Sequence, residues 1–414
     1  MGSSPSKRPA DRGRSAGWLL DTWPEAHNTS GLSRLELVCG WVAGTDPRAP
    51  DIAEVAAHGD PATALEDALL PALEAGPCCV AFSGGRDSSV LLAAATRAAR
   101  REGLPDPIAL TMRWGKFEES AESEWQEEVV RHLGLSDWQI VEPDADMDLL
   151  GAVAAATMRE HGLLWPPAAH GILPLQRVAA GGTLVSGDGG DQIFAGWRRA
   201  ALGDLYRGRR RPSWRDVPRT GLAVAPVRVR AAVEARRAVL PAPWLSDEAM
   251  RVWRAHHGRA LGEEPATWPA FLRWTRRERA TVLMLETWRR LAAGVGAGFS
   301  TPFWDPVFMR SLGRWGGRFG QGLRTPLMRA LFSHLLPDVA LRRATKARFT
   351  RVYFGAATRA FAESWSGAIP EGSVVDREAL RAAWLSEFPP STSAPLLQAA
   401  WWAEQRSARS PYVC

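Results

Sequence analysis

A short apolar run, Cys78 to Phe82, breaks directly into Ser83-Gly84-Gly85-Arg86-Asp87-Ser88-Ser89, and a Leu- and Ala-rich stretch to Arg100 follows without a gap. The run is short, apolar throughout and bounded by glycines, so it reads as a buried strand entering a tight loop, with a helix from Ser88 to Arg100 after it. Two glycines let the backbone turn sharply and come close to a ligand. The helix start points its open N–H groups and positive dipole end at the same loop. Ser83, Ser88 and Ser89 add hydroxyl donors. The combination is a cradle for phosphate or pyrophosphate, and it is not a Walker A loop, because no Gly-Lys-Ser/Thr follows.

The same texture continues along the chain. Ala64 to Leu73 reads as a helix, Ile108 to Trp114 as a strand, Ser120 to Leu133 as a helix and Trp138 to Val141 as a strand. Met147 to Arg159 and Pro174 to Ala180 read as helices and Thr183 to Ser186 as a strand. Strands alternating with helices predict a parallel sheet covered on both faces. Beyond Gln192 the chain reads as mostly helical, interrupted by Pro- and Arg-rich loops such as Arg207 to Pro218, a solvated surface segment by composition. Residues 17–60 show few clear elements, and the polar, basic stretch from Met1 to Ser15 reads as a disordered tail. The chain thus divides into a short N-terminal segment, 1–60, and one larger unit, 61–414.

Composition narrows the class. Of 414 residues, 46% are hydrophobic and 23% charged, enough for a real core. A net charge of +6 suits an anionic ligand such as a nucleotide, and at this length it does not argue for nucleic acid. Neither a membrane-length apolar run nor a signal peptide is present. Cys39, Cys78, Cys79 and Cys414 lack metal-ligand spacing and read as reduced thiols, which implies a cytoplasmic protein. The 20 tryptophans read as large apolar anchors of a helical core.

A second loop repeats the first design. Leu184-Val185-Ser186-Gly187-Asp188-Gly189-Gly190-Asp191-Gln192-Ile193-Phe194-Ala195-Gly196-Trp197 again follows a strand and opens a helix, now with carboxylates. Asp87 and Asp191 are both expected at carboxyl ends of strands, where open parallel sheets bind ligands. Two carboxylates beside a triphosphate suit Mg²⁺.

Ser-Gly-Gly-x-Asp-Ser-Ser after a short apolar strand resembles the pyrophosphate loop of the N-type ATP pyrophosphatases, and the second loop resembles the Ser-Gly-Glu/Asp-Gly-x-Asp-Glu-x-Phe-x-Gly-Tyr motif of the asparagine synthetase group. Gln192 stands where that motif has Glu, and Trp197 where it has Tyr. Downstream, Thr301-Pro302-Phe303-Trp304-Asp305-Pro306 is similar to the group's Pro-Phe-Leu-Asp stretch, and Leu336 to Phe349 to its Leu-Pro … Arg-x-x-Lys-x-x-Phe stretch. Arg324-Thr325-Pro326-Leu327-Met328-Arg329 only loosely matches the Lys-Tyr/Trp-Leu-Leu-Arg stretch. The resemblance covers about residues 61–360. It implies a Rossmann-like α/β pyrophosphatase sheet with an added helical region, and formation of an acyl-adenylate from ATP and a small-molecule or peptide carboxylate. It implies phosphate contacts from Ser83, Gly84, Gly85, Asp87, Ser88 and Ser89. It further implies nucleotide contacts from Ser186, Gly187, Gly189 and Gly190, and Mg²⁺ held by Asp87 and Asp191. Lys346 is expected to offset transition-state charge, and Asp188 to orient or deprotonate the attacking amine.

Position 2 is Gly2, and 60 residues are too few for the glutaminase domain of glutamine-dependent relatives, so this chain is not expected to release ammonia from glutamine. Relatives such as β-lactam synthetase and the lasso-peptide macrolactam synthetases use an amine of the substrate itself. The Arg-x-x-Thr-Lys-Ala-x-Phe form at Arg342 to Phe349, and Pro241 to Leu245, resemble the lasso cyclases. A precursor peptide and partner biosynthetic proteins would accompany such an enzyme. Two alternatives stand beside it: an asparagine synthetase-type enzyme fed with ammonia, free or from a separate glutaminase, and an inactive paralogue kept as a binding partner. Intact Asp87, Asp191 and Lys346 speak against the last.

Overall fold

The computed structural model describes residues 16–113, 123–143, 147–214, 216–342, 350–370 and 372–409. Five strands, β1 (Cys78–Ala81), β2 (Ile108–Met112), β3 (Trp138–Val141), β4 (Thr183–Val185) and β5 (Gly298–Ser300), form one sheet in the order β3-β2-β1-β4-β5. All four pairings are parallel. The fold is α/β and Rossmann-like, with a large helical region added, as the alternation predicts. From β1 the chain moves outward to β2 and β3, then returns to the other side of β1 for β4. The strand order therefore reverses between β1 and β4, whose carboxyl ends flank the crevice where open sheets of this kind bind ligands.

The side chains of β1 divide by parity, as a pleated strand requires. Cys78, Val80 and Phe82 belong to the main core, with Leu65 and Leu69 of the helix Pro61–Ala75 and Val90 to Leu92 of the helix Arg86–Glu102. Cys79 faces the opposite side and packs with Leu110, Leu184, Ala179 and Ala292. Both faces are therefore dry, which is why β1 has no polar alternation. Burial pushes the Cys78 thiol up to about 12, in keeping with an inert core residue.

A second core lies in the helical region. Trp244, Trp365 and Trp384 are fully buried there, with Leu396, Leu397 and Ala400 of the helix Ala394–Arg409. Leu19, Trp23, Leu35 and Val38 of the N-terminal segment join the same cluster. The segment that reads as having few clear elements contains the helix Arg34–Cys39, started by a reciprocal capping box between Ser33 and Glu36. Residues 1–15, on which the disordered-tail reading falls, lie outside the described residues.

Other boundaries differ for local reasons. The helix expected from Met147 begins at Ala152. Asp148 is fully buried and accepts from Leu150 N at 2.9 Å and Thr358 N at 3.0 Å, which holds the preceding residues in a turn. β5 is not foreseen, since three residues are too few for a period to show. The basic loop from Arg207 is largely exposed, yet two of its guanidiniums are occupied: Arg207 donates to the carbonyls of Gly320 and Gly316 at 3.0 and 3.1 Å, and Arg210 to Asp216 at 2.7 Å. Among the described residues, no helix is long and apolar enough to cross a membrane.

Candidate active site

The first loop leaves β1 at Phe82, whose N–H still pairs with Leu110 O at 2.7 Å. Gly84 turns the chain at φ +80°, a conformation that a side chain would strain. Gly85 is the N-cap of the helix Arg86–Glu102, and no side chain caps that helix start. The serines instead shape the loop. Ser83 N donates to Ser88 Oγ at 3.2 Å, Gly85 N to Ser83 Oγ at 3.3 Å, and Ser88 Oγ to Gly85 O at 3.1 Å. Gln126, from the helix Ser123–Leu133, steadies the loop from outside through Ser83 O at 3.1 Å. The result is a helix start with an anion-ready dipole, held open by its own hydroxyl network.

The second loop leaves β4, the neighbour of β1, and is pressed against the first. A side chain at Gly187 would stand 3.4 Å from Ser88 N, and one at Gly190 would stand 2.2 Å from the Asp87 carboxyl carbon. Glycine at 190 is therefore required by the approach of Asp87. Gly189 adopts φ +102° beneath the Trp304 indole, where a Cβ would fall 2.5 Å from Nε1. Ser186 Oγ donates to Asp188, fixing the carboxylate over its own loop. The following helix, Gly190–Ala195, is anchored by Phe194, whose ring meets Phe303 at 5.2 Å and Phe332 at 5.9 Å, both edge-on. Trp197 is buried, 5.5 Å from Trp268, so the residue in the motif's Tyr position serves the core.

Asp87 and Asp191 converge on one cation. Arg324, at the start of the helix Arg324–Phe332, donates from Nη2 to both Asp87 oxygens at 2.7 Å and from Nη1 to Asp191 Oδ1 at 2.5 Å. Asp87 is mostly buried, whereas Asp191 is about half open, with side-chain exposures of 17% and 46%. Burial raises the Asp87 carboxyl above its ordinary pKa, only partly offset by Arg324. Burial is the largest single influence on the Arg324 charge and opposes it, but Asp87 and Asp191 together outweigh it and its pKa rises. Arg86 stands nearby and donates to Thr325 Oγ1 at 3.1 Å; burial first, then repulsion from Arg324, lowers its pKa.

The donor set fits a small hard cation: two carboxylates that already share one positive group. Among the described residues no third His, Cys, Asp or Glu completes a cage. That is the pattern of Mg²⁺ sites finished by substrate phosphates and water.

Thus Ser83, Gly84, Gly85, Asp87, Ser88, Ser89, Ser186, Gly187, Asp188, Gly189, Gly190 and Asp191 lie on two touching loops at the ends of adjacent strands. Lys346 lies outside the described residues. The third motif supplies support beneath the site. Trp304 underlies Gly189, and Asp305 caps the helix Pro306–Gly316, accepting from Val307 N and Phe308 N at 2.8 and 2.9 Å. Arg324 is the residue that sequence reasoning missed, although it heads the loosely matching Arg324 to Arg329 stretch.

Residues 62–405 match the family model described as Asparagine synthase. A tRNA(Ile)-lysidine synthase of Pseudomonas aeruginosa is 45% identical over 82 residues, 18% of this chain and 18% of that protein. The chain therefore spans less than a fifth of that relative's length.

Proposed function

We propose that this chain, which belongs to the asparagine synthase family, joins a carboxylate to an amine at the expense of ATP by way of an acyl-adenylate. The observation that carries the reading is the meeting of two glycine loops at the strand-order reversal, with two carboxylates sharing one cation between them. Such a crevice suits a nucleoside triphosphate, whose phosphates need N–H and hydroxyl donors on one side and cation-bearing carboxylates on the other.

The residues divide the work by chemistry. A carboxylate oxygen of the substrate attacks the α-phosphorus, and the bond from that phosphorus to the α–β bridging oxygen breaks. Pyrophosphate departs against the helix start at Gly85 and the hydroxyls of Ser83, Ser88 and Ser89. Ser186, Gly187, Gly189 and Gly190 line the nucleotide from the second loop. Asp87 and Asp191 would hold Mg²⁺, which when bound neutralises phosphate charge and polarises the phosphoryl group. An amine nitrogen then attacks the acyl carbon, the bond to AMP breaks, and Asp188 takes the amine proton. Lys346 offsets negative charge in both steps. Chromatography of the spent nucleotide tests the scheme: AMP and pyrophosphate are expected, and ADP as main product overturns it.

The amine is that of the substrate itself, as in peptide macrolactam formation on a precursor peptide. The Arg342 to Phe349 stretch and Pro241 to Leu245 support this finer reading. Mass analysis separates the choices. A peptide lighter by one water marks a cyclase, and a product carrying nitrogen from labelled ammonia marks an asparagine synthase-type reaction.

Arg324 has a separate, metal-linked readout. In Arg324→Gln the carboxylates of Asp87 and Asp191 face each other with one charge removed. Breaking a buried pair costs about 3 kcal/mol or more, here held to the lower end because Asp191 is half open. The melting temperature is expected to fall without metal and to recover on adding Mg²⁺, with a larger rise than in the unaltered protein. Equal responses to Mg²⁺ would show that the carboxylates do not take the cation.

A further inference from the structure

Away from the nucleotide crevice, three helices line an open-sided cavity of about 160 Å³: Ala200–Tyr206, Asp216–Val224 and Val227–Arg237. One part of its wall is apolar, from Leu202, Leu222 and Ala223. The other part carries four guanidiniums, Arg198, Arg199, Arg210 and Arg230, against three carboxylates, Asp216, Glu234 and Glu264. The pairing leaves one cation over. Arg198 bridges Glu234 and Glu264 at 2.8 and 2.7 Å, Arg199 holds Glu264 at 2.7 Å, and Arg210 holds Asp216 at 2.7 Å.

Arg230 has no carboxylate partner among the described residues. It is only 8% exposed, its Nε has no hydrogen-bond partner, and its Nη1 reaches the Ala223 carbonyl at a long 3.4 Å. A buried guanidinium in this state is costly, because no carboxylate of the protein among the described residues compensates its charge. Arg199, 9% exposed, lies close enough to Arg230 to feel its repulsion. One negative charge placed between them would relieve both defects.

We propose that this cavity is a binding site for a compact aliphatic carboxylate, whose charge pairs with Arg230 and whose body lies on Leu202, Leu222 and Ala223. The single surplus charge favours a monoanion over a phosphate dianion, and guanidinium forks match carboxylate geometry. The volume is below the roughly 300–1,000 Å³ of sites for drug-sized ligands, so it admits one residue-sized group and not a whole peptide. The site is tied to the nucleotide crevice. Asp204, on the same helix as Leu202, accepts from Leu323 N at 3.2 Å, one residue before Arg324.

The carboxylate has two available sources, a second carboxylate of the enzyme's own substrate or a free acid. Only the substrate arm rests on the ligase reading. Isovalerate and its neutral isostere isovaleramide are the probes, titrated calorimetrically into the full chain. Isovalerate is expected to bind saturably, isovaleramide and inorganic phosphate not to compete with it, and Arg230→Gln to weaken isovalerate roughly tenfold or more. Without ligand, Arg230→Gln is expected to melt no lower than the unaltered protein, since it removes an uncompensated charge; a structural arginine would give a clear fall. A raised KM for substrate with kcat unchanged in Arg230→Gln assigns the site to the substrate. An unchanged KM with isovalerate affinity lost assigns it to a free acid. Absence of saturable isovalerate binding, equal affinity in Arg230→Gln, or preference for phosphate overturns the proposal.

Discussion

Asp87→Asn is expected to reduce turnover about a thousandfold or more while the fold remains intact, and Asp191→Asn to do nearly the same. Each change keeps the shape of the side chain and removes one negative charge from a pair that serves a cation, so several kcal/mol of transition-state stabilisation should go with it. Folding should tolerate the Asp87 change. Its carboxyl is already pushed toward the neutral form by burial, and an amide oxygen still accepts from Arg324. Circular dichroism and melting should therefore match the unaltered protein while pyrophosphate release collapses. The same burial fixes the sign of a pH effect. The reaction needs Asp87 ionised, and its pKa in the free protein lies above the ordinary carboxylate value of about 3.9. The acid limb of kcat/KM, which reports the free enzyme, should then sit above that value and be altered in Asp87→Asn. Near-normal rates in either variant would make the carboxylate a partner of Arg324 alone.

The outer logic of this site was legible in the chain because it is local. Each glycine loop joins one strand to one helix, so the apolar run, the turn and the helix start are consecutive residues. What could not be read is the contact between the loops. Glycine at 190 is explained by Asp87, a hundred residues earlier, and glycine at 189 by Trp304, far later. Arg324 escaped for the same reason. Its guanidinium joins two strand ends that become neighbours only when β4 returns beside β1.

The N-terminal segment shows the opposite case, a local signal present and not used. Ser33 and Glu36 are spaced as a capping box before Leu37 and Val38, and the helix is there. Its burial against Trp244, which donates to Val38 O at 2.9 Å, depends on residues two hundred positions away. The arginines of the helical region mislead in another way. Composition reads only the loop Arg207 to Pro218, as a solvated segment, and gives no sign that Arg199 and Arg230 are buried or that Arg324 lies between carboxylates. Only tertiary contacts separate these from the surface.

Lys346→Ala is expected to lower kcat and kcat/KM together by roughly 10² to 10³-fold, the scale for a lost charge-stabilising donor, with ATP affinity little changed. The residue lies outside the described residues, and its motif supplies the expectation. On one side Leu341 is fully buried and Arg342 pairs with Asp338 at 2.7 Å. On the other, Tyr353 O accepts from Leu149 N at 2.8 Å. The described residues on either side of the stretch are thus each held by contacts of their own. A compact ammonium on a long stem can follow charge that moves from the α-phosphate to the acyl carbon, whereas a planar guanidinium demands a fixed fork. Lys346→Arg should therefore rescue poorly. A group that acts only as charge develops leaves ground-state binding alone, so the ATP dissociation constant from calorimetry separates this role from simple attraction of nucleotide. Arg343→Ala and Arg348→Ala are the controls, because a generally basic segment would make the three positions equivalent. If Lys346→Ala falls no further than Arg348→Ala, the charge-stabilising lysine assigned to this stretch is not Lys346.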